Sequence, residues 1–294
     1  MSKKRILITG CSSGFGRVTA VELARRDWHV FGTVRKESDR ESLLDEAMTH
    51  GYKENLTIVL CDITVSEQIA ALVEQVKSTL QEDIAGDPLA SEPELDVLLN
   101  NAGTAYAGPM ELMQIDDLRA QFEINVVAQV AVTQALLPML KAAHGTVINV
   151  SSLGGRVSTP VTGAYNASKF AIEAISDAWR IELAPFGVHV VLIEPGPSPT
   201  SIWQTSLQRS LERIGEHRDG PYRRLMTLSE RAARRSTKQG FPPQLFADTV
   251  VKILTSRRPR ARYAIPFSTT VQIVLRSLLP DRLWDYLVRR VARW

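Results

Sequence analysis

The sequence predicts an α/β fold in which one doubly wound parallel sheet is covered by helices on both faces. Two observations predict it. Short apolar runs rich in β-branched residues recur along the chain, and amphipathic segments long enough for crossover helices lie between them. The runs are nearly continuous in apolar character, which is typical of strands buried on both faces. Because parallel strands need a crossover connection, this alternation indicates strand–helix–strand repeats.

The pattern assigns the elements in order along the chain. Six strands are predicted at residues 6–8, 29–34, 56–60, 97–99, 147–150 and 188–193. Helices are predicted at residues 17–26, 67–80, 118–140, 169–183 and 243–254. Residues 262–265 are a candidate seventh strand. Residues 81–94 are acidic and turn-rich, so a surface loop is expected there. Residues 198–240 contain no strand pattern and are predicted to form a lid over the mouth of the sheet.

Composition and charge limit the classes of protein that fit. With 44% hydrophobic and 23% charged residues in a chain of 294, a soluble globular protein with a large core is expected. The net charge is only +3, but residues 256–294 hold nine Arg against two Asp. This basic tail is expected to be a solvated face rather than a membrane or partner surface. Nucleic-acid binding has only the tail in its favour, so no nucleic-acid partner is predicted.

The cysteine content and the apolar segments bear on the compartment. Cys11 and Cys61 are too few for a disulfide framework, which favours a reducing compartment. The first apolar run stops at Thr9, which excludes a signal peptide pattern. The longest uncharged stretch near the tail, residues 263–275, has 13 residues and is too short to cross a bilayer. The expected location is cytoplasmic.

A glycine-rich turn follows the first strand directly. It has the sequence TGCSSGFG, and a helix pattern begins at Arg17. Glycines at a strand-to-helix turn let the backbone approach a pyrophosphate, and the helix N-terminus then stabilises the negative charge. The turn therefore predicts a Rossmann-type dinucleotide site, although the spacing Gly-x-x-x-Gly-x-Gly alone would also fit an ordinary tight turn. Its predicted cofactor-binding residues are Gly10, Ser12, Ser13, Gly14, Phe15 and Gly16.

Residues after the second and third strands bear on the choice of dinucleotide. Arg35 ends the second strand, and no carboxylate stands beside it. A guanidinium there suits the 2′-phosphate of NADP(H), whereas NAD(H) sites usually carry an acidic residue, so NADP(H) is favoured over NAD(H). Ser13 is expected to add a hydroxyl to the same phosphate. Asp62, at the end of the third strand, is predicted either to accept from the adenine amino group or to cap the following helix.

A second group of polar residues predicts acid–base chemistry. Ser152 ends the fifth strand, and Tyr165 and Lys169 follow it four residues apart. On a helix this spacing places both side chains on one face, where an ammonium would lower the pKa of the phenol and make it a usable acid or base. Ser152 would donate to the substrate oxygen as charge develops there. A Tyr-x-x-x-Lys pair alone is common, but here it accompanies the glycine turn and the upstream serine.

These motifs resemble those of the short-chain dehydrogenase/reductase family, over about residues 4–200. The TGCSSG turn and the long C-terminal region are similar to its steroid- and retinol-dehydrogenase-like branch. The resemblance implies that Asn125 is a fourth active-site member whose carbonyl holds a water in a proton relay. It also implies that Tyr165 and Lys169 contact the cofactor. The further cofactor residues implied are Ile63, Asn101, Ala102, Gly103, Pro195, Gly196 and Thr200.

The predicted function is transfer of a hydride between NADP(H) and a carbonyl or secondary alcohol. The expected small-molecule substrate is a hydrophobic ketone or alcohol, because the lid is rich in apolar residues. No metal site is predicted. Two alternatives stay open: a nucleotide-sensing protein that has lost the chemistry, and an epimerase or dehydratase acting on nucleotide sugars. The first would show erosion of the Ser–Tyr–Lys set, and the second usually carries another glycine spacing.

The sequence also predicts the domain boundaries and how the C-terminal helix packs. A catalytic domain with its lid is expected at residues 1–255, and an extension at 256–294 packed on the same domain. In the last predicted helix, Leu283, Leu287 and Val291 share an apolar side opposite a row of arginines. Packing or a subunit contact is expected to cover that side in preference to a membrane. The family resemblance implies a homodimer or homotetramer.

Overall fold

The fold is built on one sheet of seven parallel strands. The computed structural model describes residues 3–84, 92–200 and 220–292, together with residues 202, 205, 206 and 208. The strands are β1 (Arg5–Ile8), β2 (His29–Val34), β3 (Leu56–Leu60), β4 (Val97–Asn100), β5 (Thr146–Val150), β6 (His189–Pro195) and β7 (Arg262–Ile265). Their order is β3-β2-β1-β4-β5-β6-β7. The strands are therefore added first to one side of β1 and then, from β4 onward, to its other side, as in a doubly wound sheet. The predicted fold class is confirmed.

Helices cover both faces of the sheet. Before β6 they are α1 (Gly14–Arg25), α2 (Glu37–Thr49), α3 (Ser66–Ile84), α4 (Ile115–Phe122), α5 (Ala128–Ala142) and α6 (Gly163–Glu182). After β6 they are α7 (Arg223–Gln239), α8 (Pro243–Leu254), α9 (Phe267–Leu278) and α10 (Asp281–Ala292). Residues of α1, α2 and α8 join one buried cluster, and residues of α3 and α5 join another on the opposite face. The sheet thus separates two hydrophobic cores, which is why its strands are apolar throughout.

The helix predicted at residues 118–140 is longer than expected and is interrupted. Helix α4 begins at Ile115 and runs into a π-helical segment, Glu123–Val127, before α5 continues to Ala142. By length and composition this helix could cross a membrane. Its inner side nevertheless packs in the core, where Val132, Leu136 and Leu140 are fully buried. We therefore describe it as a core helix of the α/β fold.

Other boundaries shift by less than two turns of helix. Helix α1 begins at Gly14 rather than residue 17, and α6 begins at Gly163 rather than residue 169. Helix α3 extends to Ile84, so the first residues of the predicted 81–94 loop are helical, while residues 85–91 lie outside the described range. Of the predicted lid, the described part includes α7. Trp203 and Leu207 lie outside it, as do residues 209–219.

Candidate active site

The carboxyl ends of the central strands surround a cavity of about 400 Å³. A doubly wound sheet leaves its crevice there because connections leave to opposite faces at the reversal point. The predicted site residues that line the cavity are Gly10, Ser12, Ser13, Gly14, Phe15, Arg35, Asp62, Ile63, Asn101, Ala102, Gly103, Ser152, Tyr165, Lys169, Pro195, Gly196 and Thr200. Gly16 and Asn125 lie just behind this lining. The fold therefore gathers residues separated by 190 positions into one crevice.

The glycines of the first turn are required by close backbone contacts. Gly10 has φ +74°, and a side chain there would place its Cβ 2.9 Å from the Cα of Ala102. A Cβ on Gly16 would lie 2.3 Å from the carbonyl oxygen of Gly10. Both distances are shorter than any real carbon contact, so no larger residue fits without a shift of the backbone. The turn keeps an open cradle beside the first turn of α1, which fits a dinucleotide pyrophosphate.

Side chains from neighbouring strands hold this turn in place. The Asn101 side-chain amide donates to the carbonyl oxygens of Thr9 (2.9 Å) and Gly10 (3.0 Å). The Thr9 hydroxyl oxygen accepts from the backbone N–H of Asn101 and of Ala102, at 3.0 Å each. The backbone N–H of Gly10 donates to the Thr33 hydroxyl at 3.1 Å. The sequence analysis missed the roles of Thr9 and Thr33, because a threonine within a strand pattern indicates only β structure.

Two charged residues stand at the β2–β3 end of the cavity. Arg35 is exposed and lines the cavity with Ser13 and Asp62. Asp62 accepts from the backbone N–H of Thr64 at 3.0 Å and from its hydroxyl at 2.7 Å. Partial burial raises the pKa of Asp62, but the hydrogen bonds from Thr64 and the charge of Arg35 outweigh it, so the pKa lies below its ordinary value. Asp62 therefore orders the turn before α3 as an ionised carboxylate.

Ser152 and Tyr165 face one another across the cavity. Ser152 follows β5 and accepts a hydrogen bond from the N–H of Gly154 at 3.0 Å. Burial raises the pKa of Tyr165 above its ordinary value, while a hydrogen bond from the Ser152 hydroxyl lowers it. The net direction is upward, whereas the sequence analysis expected the Lys169 ammonium to lower the pKa. Burial is the stronger effect because the ring is only 7% exposed.

Lys169 occupies the next turn of α6 on the same side. Its ammonium donates to the Val150 carbonyl oxygen at 2.8 Å and lies 5.9 Å from the centre of the Tyr165 ring. Burial lowers the pKa of Lys169 to about 8, against a smaller raising effect from the carboxylate of Glu173. The spacing prediction therefore placed both side chains correctly on one helical face. Near neutral pH the amine is mostly charged, beside a phenol that is mostly protonated.

Asn125 lies in the π-helical segment between α4 and α5. Its side-chain oxygen accepts from the N–H of Thr104 at 2.8 Å, and its amide donates to the Thr104 carbonyl (3.0 Å) and the Ser168 hydroxyl (3.1 Å). Ser168 in turn donates to the Tyr165 carbonyl oxygen at 2.7 Å. The segment is thus fastened to both the β4 loop and α6. A π-turn widens the helix by one residue and often marks a functional site, and the sequence pattern did not reveal it.

A network of ion pairs connects α6 to strands β6 and β7. Arg262 of β7 donates to Glu173 at 3.0 Å and to both oxygens of Asp177, at 2.7 and 2.8 Å. Glu194 of β6 pairs with Arg156 at 3.0 Å and lies 3.5 Å from Arg262. Burial raises the pKa of Glu194 to about 6, with a further rise from Glu173 and opposing effects from the two arginines. The network joins Glu173, one turn after Lys169, to β6 and β7.

The segment after β6 closes the cavity on its last side. The N–H of Gly196 donates to the Ile265 carbonyl oxygen at 2.7 Å, and a Cβ there would lie 2.3 Å from the Thr269 hydroxyl. Thr200 packs over the glycine turn, with its methyl carbon 3.4 Å from the position of a Cβ on Gly14. The glycine turn after β1 and the segment after β6 therefore lie against each other at the crevice. A group bound there would lie between the glycine turn and residues 195–200.

Comparison with known families decides what kind of protein this is. A family model described as short chain dehydrogenase matches residues 4–210. The chain belongs to this family. It is an oxidoreductase that acts on CH–OH or C=O groups, and the resemblance expected from its motifs is confirmed.

Similar proteins extend over nearly the whole chain. An uncharacterized oxidoreductase of Bacillus subtilis, YusZ, is 33% identical over 292 residues, which cover 99% of each chain. The NADPH-dependent 3-dehydrocapnine reductase of Ornithobacterium rhinotracheale is 32% identical, covering 95% of this chain and 94% of the relative. The 3-ketodihydrosphingosine reductase of Bacteroides thetaiotaomicron is 31% identical, covering 98% of each. The similarity therefore includes the C-terminal helices as well as the sheet.

Solved structures show the same architecture. A short-chain dehydrogenase from Streptomyces avermitilis superposes with a TM-score of 0.73 at 26% identity, covering 99% of this chain and 98% of that one. A short-chain dehydrogenase/reductase from Burkholderia phymatum, solved in complex with NAD, gives a TM-score of 0.77 at 22% identity, covering 94% of this chain and 93% of that one. At that identity the second likeness shows the fold alone.

The charge of Glu173 gives a testable pH dependence for this oxidoreductase. If Lys169 stabilises a forming tyrosinate, as the sequence predicts, kcat/KM for carbonyl reduction should fall as pH rises through about 8, where Lys169 loses its charge. In Glu173→Gln the raising effect on the Lys169 pKa is absent, so the falling limb moves to lower pH. The measurement is kcat/KM against pH for wild type and variant. Glu182→Gln, at the exposed end of the same helix, is the control, and an unmoved limb in Glu173→Gln would contradict the prediction.

Proposed function

We propose that this oxidoreductase is NADP(H)-dependent and interconverts a hydrophobic ketone and the corresponding secondary alcohol. The observation that carries the proposal is the placement of Tyr165, Ser152 and Lys169 in the same crevice as the glycine turn. The glycine turn lines this cavity with Gly10, Ser13 and Gly14 at the N-terminus of α1, which fits the pyrophosphate of a dinucleotide. When bound, the nicotinamide would supply the hydride that the protein itself lacks.

The side chains around the reacting carbon have separate tasks in this proposal. Tyr165 gives its proton to the carbonyl oxygen in reduction, or removes the proton from the hydroxyl in oxidation. Ser152 donates a hydrogen bond to the same oxygen as negative charge develops on it. The ammonium of Lys169 stabilises the tyrosinate that results, and its bond to the Val150 carbonyl fixes its position. Asn125 and Ser168 hold α6 against the β4 loop, so that the phenol keeps its direction.

Arg35 is the residue that we propose to select NADP(H). Its guanidinium stands beside Ser13 at the rim of the cavity, where a 2′-phosphate would accept from both. The Ornithobacterium relative, whose name states NADPH dependence, supports this preference. In Arg35→Glu we expect kcat/KM with NADPH to fall by roughly 100-fold, about 3 kcal/mol for a lost charge-assisted contact and a new repulsion. The same variant should keep or gain activity with NADH. An equal loss with both nucleotides would contradict the assignment.

The proposed substrate is apolar because of a second cavity beside the catalytic loop. This cavity of about 740 Å³ is lined by Val161 and Gly163, which precede Tyr165, and by Leu225, Ile273 and Trp284 of the later helices. Its charged lining residues are Arg156, Arg276, Asp285 and Arg289. A small cluster of Val161 and Met226, with Tyr222 and Leu225 against it, continues the apolar lining. The two named reductases among the relatives act on a 3-dehydro or 3-keto compound, which supports a ketone substrate here. We also propose that residues 198–240 form the predicted lid over the mouth of the sheet.

The experiment that tests the function follows the absorbance of NADPH. Purified protein is mixed with a panel of ketones that spans long-chain aliphatic, steroid, retinoid and sugar classes, and the reverse reaction is run with the alcohols and NADP⁺. We expect turnover with apolar members and none with nucleotide sugars. NADPH binding without turnover of any member would favour the nucleotide-sensing alternative. Its prediction of eroded active-site residues is not met, since Ser152, Tyr165 and Lys169 are all retained.

The remaining predictions concern assembly and location. We propose a homodimer or homotetramer whose contact includes α6, where Phe170 and Ile181 are large apolar side chains left exposed in the single chain. We propose a cytoplasmic location, because Cys11 and Cys61 are both free and buried. We also propose that residues 1–255 and the extension 256–294 form one folding unit, since β7 pairs with β6.

A further inference from the structure

The outer faces of α9 and α10 carry an apolar surface that the rest of the described chain leaves uncovered. Among the described residues seventeen large hydrophobic side chains are exposed, and nine of them lie between residues 267 and 291. They are Phe267, Val271, Val274, Leu275, Leu278, Leu283, Tyr286, Leu287 and Val291. The other eight are scattered over the remaining length. Concentration of this kind marks a binding surface rather than the ordinary scatter of single exposed side chains.

The spacing of these residues shows that each of the two helices carries an apolar stripe. In α9 they recur at positions i, i+4, i+7, i+8 and i+11, so they share one helical face. The opposite face of α9 packs inward, with Thr269 fully buried and Ile273 lining the 740 Å³ cavity. In α10, Trp284 and Val288 turn toward the same cavity, whereas Leu283, Leu287 and Val291 face outward. The apolar side predicted for α10 is therefore only partly covered by the residues that the structure describes.

The charges around the stripe indicate whether a second copy of this chain or an anionic partner covers it. Helix α7, which packs against α10, carries five Arg and one Lys, all exposed, and a single carboxylate, Glu230. Helices α9 and α10 add four Arg and two Asp. The three helices thus hold ten cations against three carboxylates. Face-to-face pairing with a second copy would bring two strongly cationic surfaces together, and such like-charge contact is unfavourable.

We propose that the outer faces of α9 and α10, edged by the basic helix α7, dock on an anionic lipid bilayer. An amphipathic helix lies in the interface with its apolar side among the acyl chains and its arginines at the headgroups. Each Lys or Arg near an anionic leaflet adds electrostatic attraction. The inner faces of the same helices line the 740 Å³ cavity beside the catalytic loop with apolar and charged side chains. Docking would therefore place that cavity at the membrane surface.

The test is flotation of the full chain with lipid vesicles, which does not depend on catalysis. Vesicles are made of phosphatidylcholine alone or of equal parts phosphatidylcholine and phosphatidylglycerol. We expect the protein to float with the anionic vesicles at low salt, and less in about 1 M salt, where the Debye length is about 3 Å. We expect little flotation with the neutral vesicles. Failure to float with anionic vesicles would overturn the proposal.

Matched variants separate the apolar stripe from net charge. Phe267→Glu, Leu278→Glu and Val291→Glu are combined in one chain, at side chains that are 79%, 73% and 76% exposed. Met48→Glu, Ile115→Glu and Phe186→Glu, combined in another, change the charge equally at exposed apolar residues elsewhere. We expect the first to lower vesicle affinity at least about tenfold, or about 1.4 kcal/mol, relative to the second. Equal losses would overturn the proposal.

Two further measurements distinguish membrane docking from misfolding of the variants and from contact between copies of this chain. Thermal unfolding of both variants checks that they fold, and their exposed positions predict midpoints close to that of wild type. Light scattering gives the mass of each in solution. If the stripe variant has a smaller mass than the control variant, the face is a contact between copies of this chain, and the bilayer proposal is wrong. If the masses agree while flotation differs, the proposal stands.

Discussion

Tyr165→Phe is expected to lower kcat by about 10³-fold while binding of NADPH stays close to that of wild type. The substitution removes only the hydroxyl that exchanges a proton with the reacting oxygen, and positioned acid–base groups are generally worth 10²–10⁴-fold. The ring itself remains buried at the start of α6, so the crevice keeps its shape. Single-turnover kinetics at saturating NADPH would measure the loss, and quenching of protein fluorescence on titration with NADPH would measure binding.

The control for this prediction is Tyr52→Phe. Tyr52 is also a buried tyrosine, but it lies before β3 and outside both cavities. Loss of its hydroxyl should leave kcat within about twofold of wild type, a change of less than about 0.5 kcal/mol in activation free energy. A Tyr165→Phe enzyme with a near-normal rate would show that another group supplies the proton, and the proposed role of the phenol would be wrong.

Arg262→Met is expected to lower the free energy of unfolding by roughly 3 kcal/mol, because it removes the cation that pairs with buried Glu173 and leaves Glu194 with Arg156 alone. Glu173 and Glu194 are 5% and 3% exposed, and Arg262 lies within 3.5 Å of both. Urea unfolding of the wild type and the variant, followed by circular dichroism, measures the difference. Arg257→Met is the control: Arg257 is exposed before β7, and its loss should change stability by no more than about 0.5 kcal/mol.

The loss in Arg262→Met should also depend on pH in a defined direction. The pKa of Glu194 is already raised to about 6, so the folded chain holds this proton more tightly than the unfolded chain does. Stability contributed by such a carboxyl falls as pH rises from its unfolded pKa toward the folded value. Without Arg262 the carboxylate is less well compensated, so we expect a larger deficit at pH 8 than at pH 5. A deficit that is equal at both pH values would show that Glu194 is not part of the network.

Local patterns were enough to predict the fold class and most of the residues that line the candidate site. The apolar runs gave the strands to within two residues, because burial on both faces of a parallel sheet leaves a continuous signal. Gly10, Gly14 and Gly16 were identifiable because a strand-to-helix turn at a phosphate site needs that residue type. Tyr165 and Lys169 were placed on one face by the helical period alone. Each of these signals lies within a few residues of sequence.

Several features of the site left no such signal. The π-turn at Asn125 depends on hydrogen bonds that Thr104 and Ser168 make to its side chain from distant elements. The pKa of Tyr165 was expected to fall but rises, because the depth of burial follows from the packing of the whole crevice. The network of Arg262 with Glu173 joins residues 89 positions apart. Sequence spacing does not encode which elements become neighbours across a sheet.

By itself the sequence determined that this chain forms a doubly wound parallel sheet with a glycine cradle and a Tyr–Lys pair on one helix. These properties follow from the side-chain periodicity of strands and helices, which depends only on residues close together in the sequence. Only the tertiary structure decided which charges are buried together and which apolar helical faces stay uncovered. The outward stripe on α9 and α10 is such a case. Periodicity shows that a face is apolar, but whether it is covered depends on the surfaces that the remaining elements have available.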